Sequence, residues 1–203
     1  MRKVFVILWL GVLFMGITSF FWYNEWKFSL PTPVPDKYVA VGCGQQINLP
    51  PELKLEKGKP LFLHFFNPTC PCSRFNIPHF RSLVRQYEDK IQFVVVVMSK
   101  DSSYSAGDIQ NKFGLNIPIL FDKSLAASCG VYSTPQAVLI TPEHTLYYRG
   151  NYNKSRYCTD KKSNYAQNAI DSLLASKLNP VFEAPALTAY GCQLAPVCIK
   201  PLK

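Results

Sequence analysis

The stretch "FFNPTCPCSRFN" (residues 65–76) joins an apolar run to a segment of helical periodicity, with Cys70 and Cys72 one proline apart at the junction. Upstream, "LFLHFF" (residues 61–66) has the length and composition of a short buried strand. Downstream, residues 73–89 carry Ile77, Phe80, Leu83, Val84 and Tyr87 at helical spacing. A strand that turns directly into a helix leaves both thiols at the helix N-terminus. There, unpaired amides and the positive end of the helix dipole stabilise thiolate. Cysteines in such surroundings titrate at about 3.5–7.5 instead of about 8.5. Cys70, at the first and more open position, is the expected nucleophile. Three readings of the pair compete: a redox centre, a soft-metal site, and two thiols that merely lie in a turn.

The flanking sequence favours the first. "IQFVVVVM" (residues 91–98) is the β-branched run of a strand buried on both faces. Short helices are expected over 106–113 and 124–129, with a strand over 117–121. A hairpin is expected from 136–141 and 145–149, and a closing helix over 161–177. The order β-α-β-α-β-α-β-β-α around a central parallel pair implies a three-layer α/β domain.

In layout the chain resembles the thioredoxin-like superfamily, nearest to its membrane-anchored periplasmic oxidoreductases and redoxins. The resemblance spans about residues 60–177. It rests on the cysteine pair closing the first core strand, on Pro78 in the helix that follows, and on "STPQAVLI" (residues 133–140). It implies a thioredoxin-like fold with a central mixed sheet. It also implies a cis peptide bond between Thr134 and Pro135, in a loop that faces the redox cysteine and offers backbone groups to a bound substrate. The implied partners are protein thiols and disulfides and a redox partner protein, with no cofactor and no resident metal.

The departures matter as much. A gapless alignment from Phe66 to Pro78 puts Cys70 at the first-cysteine position and Ser73 where the second belongs, with Cys72 one place early. Thr69 replaces the usual tryptophan, and His64 stands where the superfamily keeps a buried carboxylate. A Cys70–Cys72 disulfide is geometrically open, because a bend can bring two α-carbons within about 4.4–6.8 Å. Topology also puts Cys158 and Cys129 toward the same end of the sheet as alternative resolving thiols, although each could be a buried small hydrophobe or a structural disulfide. Cys43, Cys192 and Cys198 lie outside the core and are expected to staple flanking segments, and the tail "AYGCQLAPVCIK" could fold back over the domain. His64 is either a proton relay or a hydrogen-bonded core residue. His79 and His144 have no ligand spacing and are expected at the surface.

Two further functions fit part of the pattern. Thr69 precedes Cys72 at the spacing of a peroxiredoxin-like T-x-x-C, but Phe65 stands where that motif needs proline. C-P-C could give two thiolates to Cu(I), as in a copper-binding thioredoxin-fold chaperone. Peroxide consumption and Cu(I) titration separate these from disulfide exchange.

The first thirty residues set the compartment. Residues 4–23 hold about 20 residues without a charge, enough for a helix of about 30 Å, the thickness of a bilayer core. The run continues into "SFFWYNEWKF" with no small-x-small cleavage site, and Trp22, Tyr23 and Trp26 suit an interfacial belt. An uncleaved single-pass anchor is therefore expected, in preference to a signal peptide or a buried soluble helix. Arg2 and Lys3 should hold the N-terminus in the cytoplasm, leaving the rest periplasmic on a bacterial inner membrane. The expected segments are an anchor (1–27), a Pro-rich spacer and lead-in (28–59), the thioredoxin-like domain (60–178) and a cysteine-containing tail (179–203). The formal charge of +9 comes from scattered lysines and arginines. It argues for a basic globule beside anionic lipid and against nucleic-acid binding. Seven cysteines suit an oxidising compartment, and the odd number leaves at least one thiol outside intramolecular pairs. "NKS" at Asn153 matches a glycosylation sequon, which carries no meaning in a bacterial protein.

Overall fold

A computed structural model describes residues 2–99, 104–177 and 181–194, and the chain divides into two compact units, residues 1–31 and 32–203. The first unit is helix α1 (Arg2–Ser29). Its Arg2–Trp26 portion contains an 18-residue window of mean hydropathy 2.4 with no buried share, so it is long and apolar enough to cross a membrane.

In the second unit, strand β1 (Leu61–Phe66) leads into α2 (Pro71–Tyr87), then β2 (Gln92–Val97), α3 (Ala106–Phe113), β3 (Ile119–Leu120) and α4 (Ser124–Ser128). After them come β4 (Ser133–Thr134), β5 (Gln136–Ile140), β6 (Leu146–Gly150), α5 (Tyr165–Leu174), α6 (Ala184–Leu187) and β7 (Cys192–Gln193). Among the described residues the main sheet has the order β3-β2-β1-β5-β6. The β1–β2 and β2–β3 pairs are parallel, and β5 runs antiparallel to both β1 and β6. This is the thioredoxin-like mixed sheet.

Every residue of β1 and β2 is buried, which is why both read as continuous apolar runs and not as alternating ones. On one face Phe62 and Phe66 pack with Phe80 and Leu83 of α2, Ile109 of α3, and Ala166 and Ile170 of α5. On the other, Leu61, Leu63 and Phe65 pack with Val94, Val96, Val138 and Leu125. The two clusters make three layers.

Several boundaries differ from the sequence expectation. Helix α2 starts at Pro71 because Cys70, with extended backbone (φ −81°, ψ 121°), is its N-cap. Proline suits the first helical position, where its missing N–H would have no intrahelical partner anyway. The expected 161–177 helix is a short 3-10 turn (Lys161–Ser163) followed by α5, broken at Asn164, whose side chain accepts from Asn153 Nδ2 at 2.8 Å. Strand 117–121 shrinks to Ile119–Leu120, which pairs with Val95 and Val96.

The spacer and tail are not separate appendages. Ile47 lies in the core, and Gln46 bridges to Thr145. Past α5 the chain returns across β6. Asn151 donates from Nδ2 to the carbonyls of Pro185 (2.8 Å) and Thr188, and Ala186 and Ala189 are buried. Gly150 permits this approach, since a Cβ there would overlap the Ala186 carbonyl and the Tyr148 hydroxyl. Cys198 lies outside the described residues.

Candidate active site

The end of β1, the first turn of α2 and the loop before β5 converge on a cluster of sulfur atoms. Cys70 is disulfide-bonded to Cys192, with the α-carbons 6.1 Å apart, inside the usual window for the bond. Cys72 remains a thiol, buried in the first turn of α2, and the sulfurs of Cys70, Cys72 and Cys192 all lie within 4.8 Å of one another. The Thr134–Pro135 peptide bond is cis, as the resemblance implies, and Cys70 Sγ lies 3.5 Å from the Thr134 carbonyl oxygen.

Cys192 reaches Cys70 on a strand. β7 pairs antiparallel with β4, Cys192 opposite Thr134 and Gln193 opposite Ser133, and Leu194 N–H donates to the Tyr132 carbonyl at 2.9 Å. Thr32 holds the outer side of this segment: its N–H donates to the Ala189 carbonyl at 2.8 Å and its hydroxyl to the Gly191 carbonyl at 3.2 Å. Gly191 has φ +139°, and a Cβ there would overlap the Thr134 carbonyl. Only glycine lets the strand lie this close to the cis-proline loop.

The disulfide corrects the pairing expected from sequence. Cys70 is joined to neither Cys72 nor Cys158. Cys72 is buried beside Cys70, and Cys192 is carried to Cys70 by β7. Cys158 is not a member of the sulfur cluster. It sits at φ 55° and packs against the core, with its sulfur accepting from Asn76 Nδ2 at 3.1 Å. Burial pushes its thiol up to about 11 against the opposing effect of that hydrogen bond. Cys129 is fully buried in the other core cluster, and burial takes its thiol to about 12. Both are in the state of small hydrophobes. Cys43 is exposed.

His64 faces α2 from β1. Its ring stacks on Phe80 at 4.1 Å between centroids, and its Nδ1 shares a 2.6 Å hydrogen bond with the buried Tyr152 hydroxyl. Complete burial lowers its pKa to about 3. These contacts and the downward shift suit the core reading of this residue. His79 is half-buried edge-on to Tyr152 and shifted down by burial, and His144 is partly exposed in the turn before β6. Ser73, in the second-cysteine position, is fully buried, and its Oγ accepts from Asn67 N–H at 3.3 Å. Thr69 is exposed and donates its hydroxyl to Asn67 Oδ1 at 2.8 Å.

Sequence reasoning missed Cys192, Gly191 and Thr32 as parts of the site. The odd cysteine count and the "YGC" of the tail were the available signals. A pairing across 122 residues cannot be deduced from spacing.

The sheet, the cis-proline loop and the helix-capping disulfide cysteine define a thioredoxin-like redox protein. Within that class the chain belongs to the family described as a domain of unknown function, DUF6436, whose model matches residues 41–193. It is 25% identical over 142 residues to the thiol-disulfide oxidoreductase ResA of Bacillus anthracis, covering 68% of this chain and 79% of that protein. It is 28% identical over 95 residues to the ResA of Halalkalibacterium halodurans, covering 46% and 53%. Among solved structures, a hypothetical protein from Sinorhizobium meliloti 1021 superposes with a TM-score of 0.62 at 18% identity, over 77% of this chain and 96% of that one. An uncharacterised conserved protein from Geobacillus kaustophilus gives 0.58 at 19%, over 72% and 80%. These two structures share the fold.

Proposed function

We propose that the protein is a thiol–disulfide oxidoreductase, tethered by α1 to a bacterial inner membrane with its second unit in the periplasm, acting on protein disulfides through Cys70. The observation that carries this is the sulfur of Cys70 at the N-terminus of α2, beside the Thr134–Pro135 loop and already disulfide-bonded to an extended strand paired with that loop. Reduced Cys70 attacks one sulfur of a partner disulfide as thiolate, forms a mixed disulfide and expels the partner's other sulfur as thiolate. A second thiol of this chain then attacks Cys70 Sγ and expels the remaining partner sulfur. The partner gains two electrons and two protons, and the chain is left with one disulfide. Run backwards, the same steps oxidise a dithiol. Of the resolving thiols expected from sequence, Cys72 lies in the sulfur cluster and Cys158 outside it, while the burial of His64 against Phe80 and Tyr152 supports a core role for it. The similarity to ResA supports the reaction class, and the long apolar α1 supports the tether.

The test is reduction of insulin disulfides by the pre-reduced full chain. Cys70→Ser should remove the activity, with a rate at least about 100-fold lower; unchanged turnover would overturn the assignment. A second reading, binding of a soft cation such as Cu(I), rests on the three sulfurs lying within 4.8 Å. Stoichiometric Cu(I) uptake by the reduced chain in competition with a chelator, lost in the Cys70–Cys192 disulfide form, would favour it.

A further inference from the structure

We propose that Cys192 is the resolving thiol, and that β7 is a built-in competitor for the strand edge where substrates dock, so that one movement both resolves the mixed disulfide and ejects the product. The inference rests on the oxidoreductase reading and adds what that reading lacks, a replacement for the second cysteine that Ser73 has taken.

Four observations meet here. The segment 191–193 has the form of a bound cysteine peptide: extended, paired antiparallel to β4, and joined through its cysteine to Cys70. Gly191 keeps it against the Thr134 carbonyl, at the cis-proline loop where an incoming strand would pair. Among the described residues the non-covalent attachment is short: β7 is two residues long and pairs with β4, flanked by Leu194 N–H to Tyr132 and by the Thr32 bonds to the carbonyls of Ala189 and Gly191. Finally, Ser133 Oγ and Thr134 Oγ1 are buried without a hydrogen-bond partner among the described residues, so a closed edge leaves polar groups that water would satisfy. A strand held this way can leave and return.

The cycle balances. In the reduced chain Cys70, Cys72 and Cys192 are thiols and β7 can yield the β4 edge. A substrate R–S–S–R′ pairs there, Cys70 thiolate attacks, the Cys70–S–S–R bond forms and R′–S⁻ leaves. The Cys192 thiolate then attacks Cys70 Sγ, the Cys70–Cys192 bond forms and R–S⁻ leaves. As Cys192 bonds, β7 re-pairs with β4 and occupies the place of the product. Two electrons pass from the Cys70 and Cys192 thiols to the substrate, and both thiol protons end on the products. Cys72, whose sulfur lies within 4.8 Å of the other two, stays reduced because the strand that carries Cys192 is also the strand that must return.

The experiment is a single turnover of the pre-reduced full chain with glutathione disulfide as probe, followed by counting released glutathione and mapping disulfides by mass. The native chain should release two equivalents per protein and finish with Cys70–Cys192. Cys192→Ser should release one equivalent and remain glutathionylated on Cys70, whereas Cys72→Ser should release two. Gly191→Val keeps every thiol but blocks the close approach to Thr134, and its mixed disulfide should persist at least about tenfold longer than the native one. Two equivalents from Cys192→Ser, with a Cys70–Cys72 disulfide, would overturn the inference and leave the oxidoreductase reading intact. Failure of the native chain to modify Cys70 at all would instead remove the oxidoreductase reading beneath it.

Discussion

His64 offers a quantitative check on the reading of the core, because complete burial keeps it neutral in the folded chain. Its folded pKa of about 3 lies below the ordinary 6.5. Between those values the unfolded chain binds a proton that the folded chain refuses. Its contribution to stability is therefore fully present above about pH 6.5 and is lost as pH falls toward 3. Each pH unit below 6.5 is worth about 1.4 kcal/mol, so lowering the pH from 7 to 5 should cost about 2 kcal/mol through this residue alone. That is a large part of a typical margin of about 5–15 kcal/mol. His64→Phe keeps a ring against Phe80 but strands the Tyr152 hydroxyl, a fixed penalty of about 1–3 kcal/mol that does not vary with pH in this range. Urea denaturation of the full chain and the variant at pH 7 and pH 5 should show about 2 kcal/mol less pH sensitivity in His64→Phe. His79, also shifted down by burial, is present in both proteins and cancels in the difference. Equal pH dependence in the two proteins, or an imidazole titration of His64 by NMR near pH 6, would refute the argument and reopen a proton-relay role.

Three other outcomes are expected. With the fully reduced chain at pH 7, iodoacetamide should label exposed Cys43 at least about 100-fold faster than Cys158 or Cys129, whose burial leaves about one molecule in 10,000 or fewer as thiolate; timed peptide mapping measures this, and Cys158→Ser should keep normal exchange activity. Gly150→Ala should lower stability by about 1–3 kcal/mol, seen as a reduced urea midpoint, because its methyl group must displace the returning tail at Ala186. Alkaline phosphatase joined after Lys203 should be active in a Gram-negative host and pellet with membranes, and removal of residues 2–29 should release the fusion into the soluble fraction; an inactive fusion would reverse the proposed orientation.

Much of the molecule was written into local patterns. The runs at 61–66 and 91–98 are apolar at every position because their strands are buried on both faces, so strand identity and central position could be read together. The spacing of Ile77, Phe80 and Leu83 determined the inner face of α2, and the resemblance of residues 133–140 to the thioredoxin-like loop implied the cis bond before Pro135. Cys70 could be recognised at a helix N-terminus because strand, turn and helix are contiguous. Its partner could not. Cys192 lies 122 residues away, on a two-residue strand with no periodicity of its own, held by one glycine, Thr32 and the edge of β4. Such a pairing depends on where the chain returns after α5 and α6, and that is decided by Gly150, Asn151 and the packing of Ala186. The same holds for His64: its residue type allowed a relay or a core role, and only the walls around it, Phe80 and Tyr152, removed the water that a charged imidazole requires.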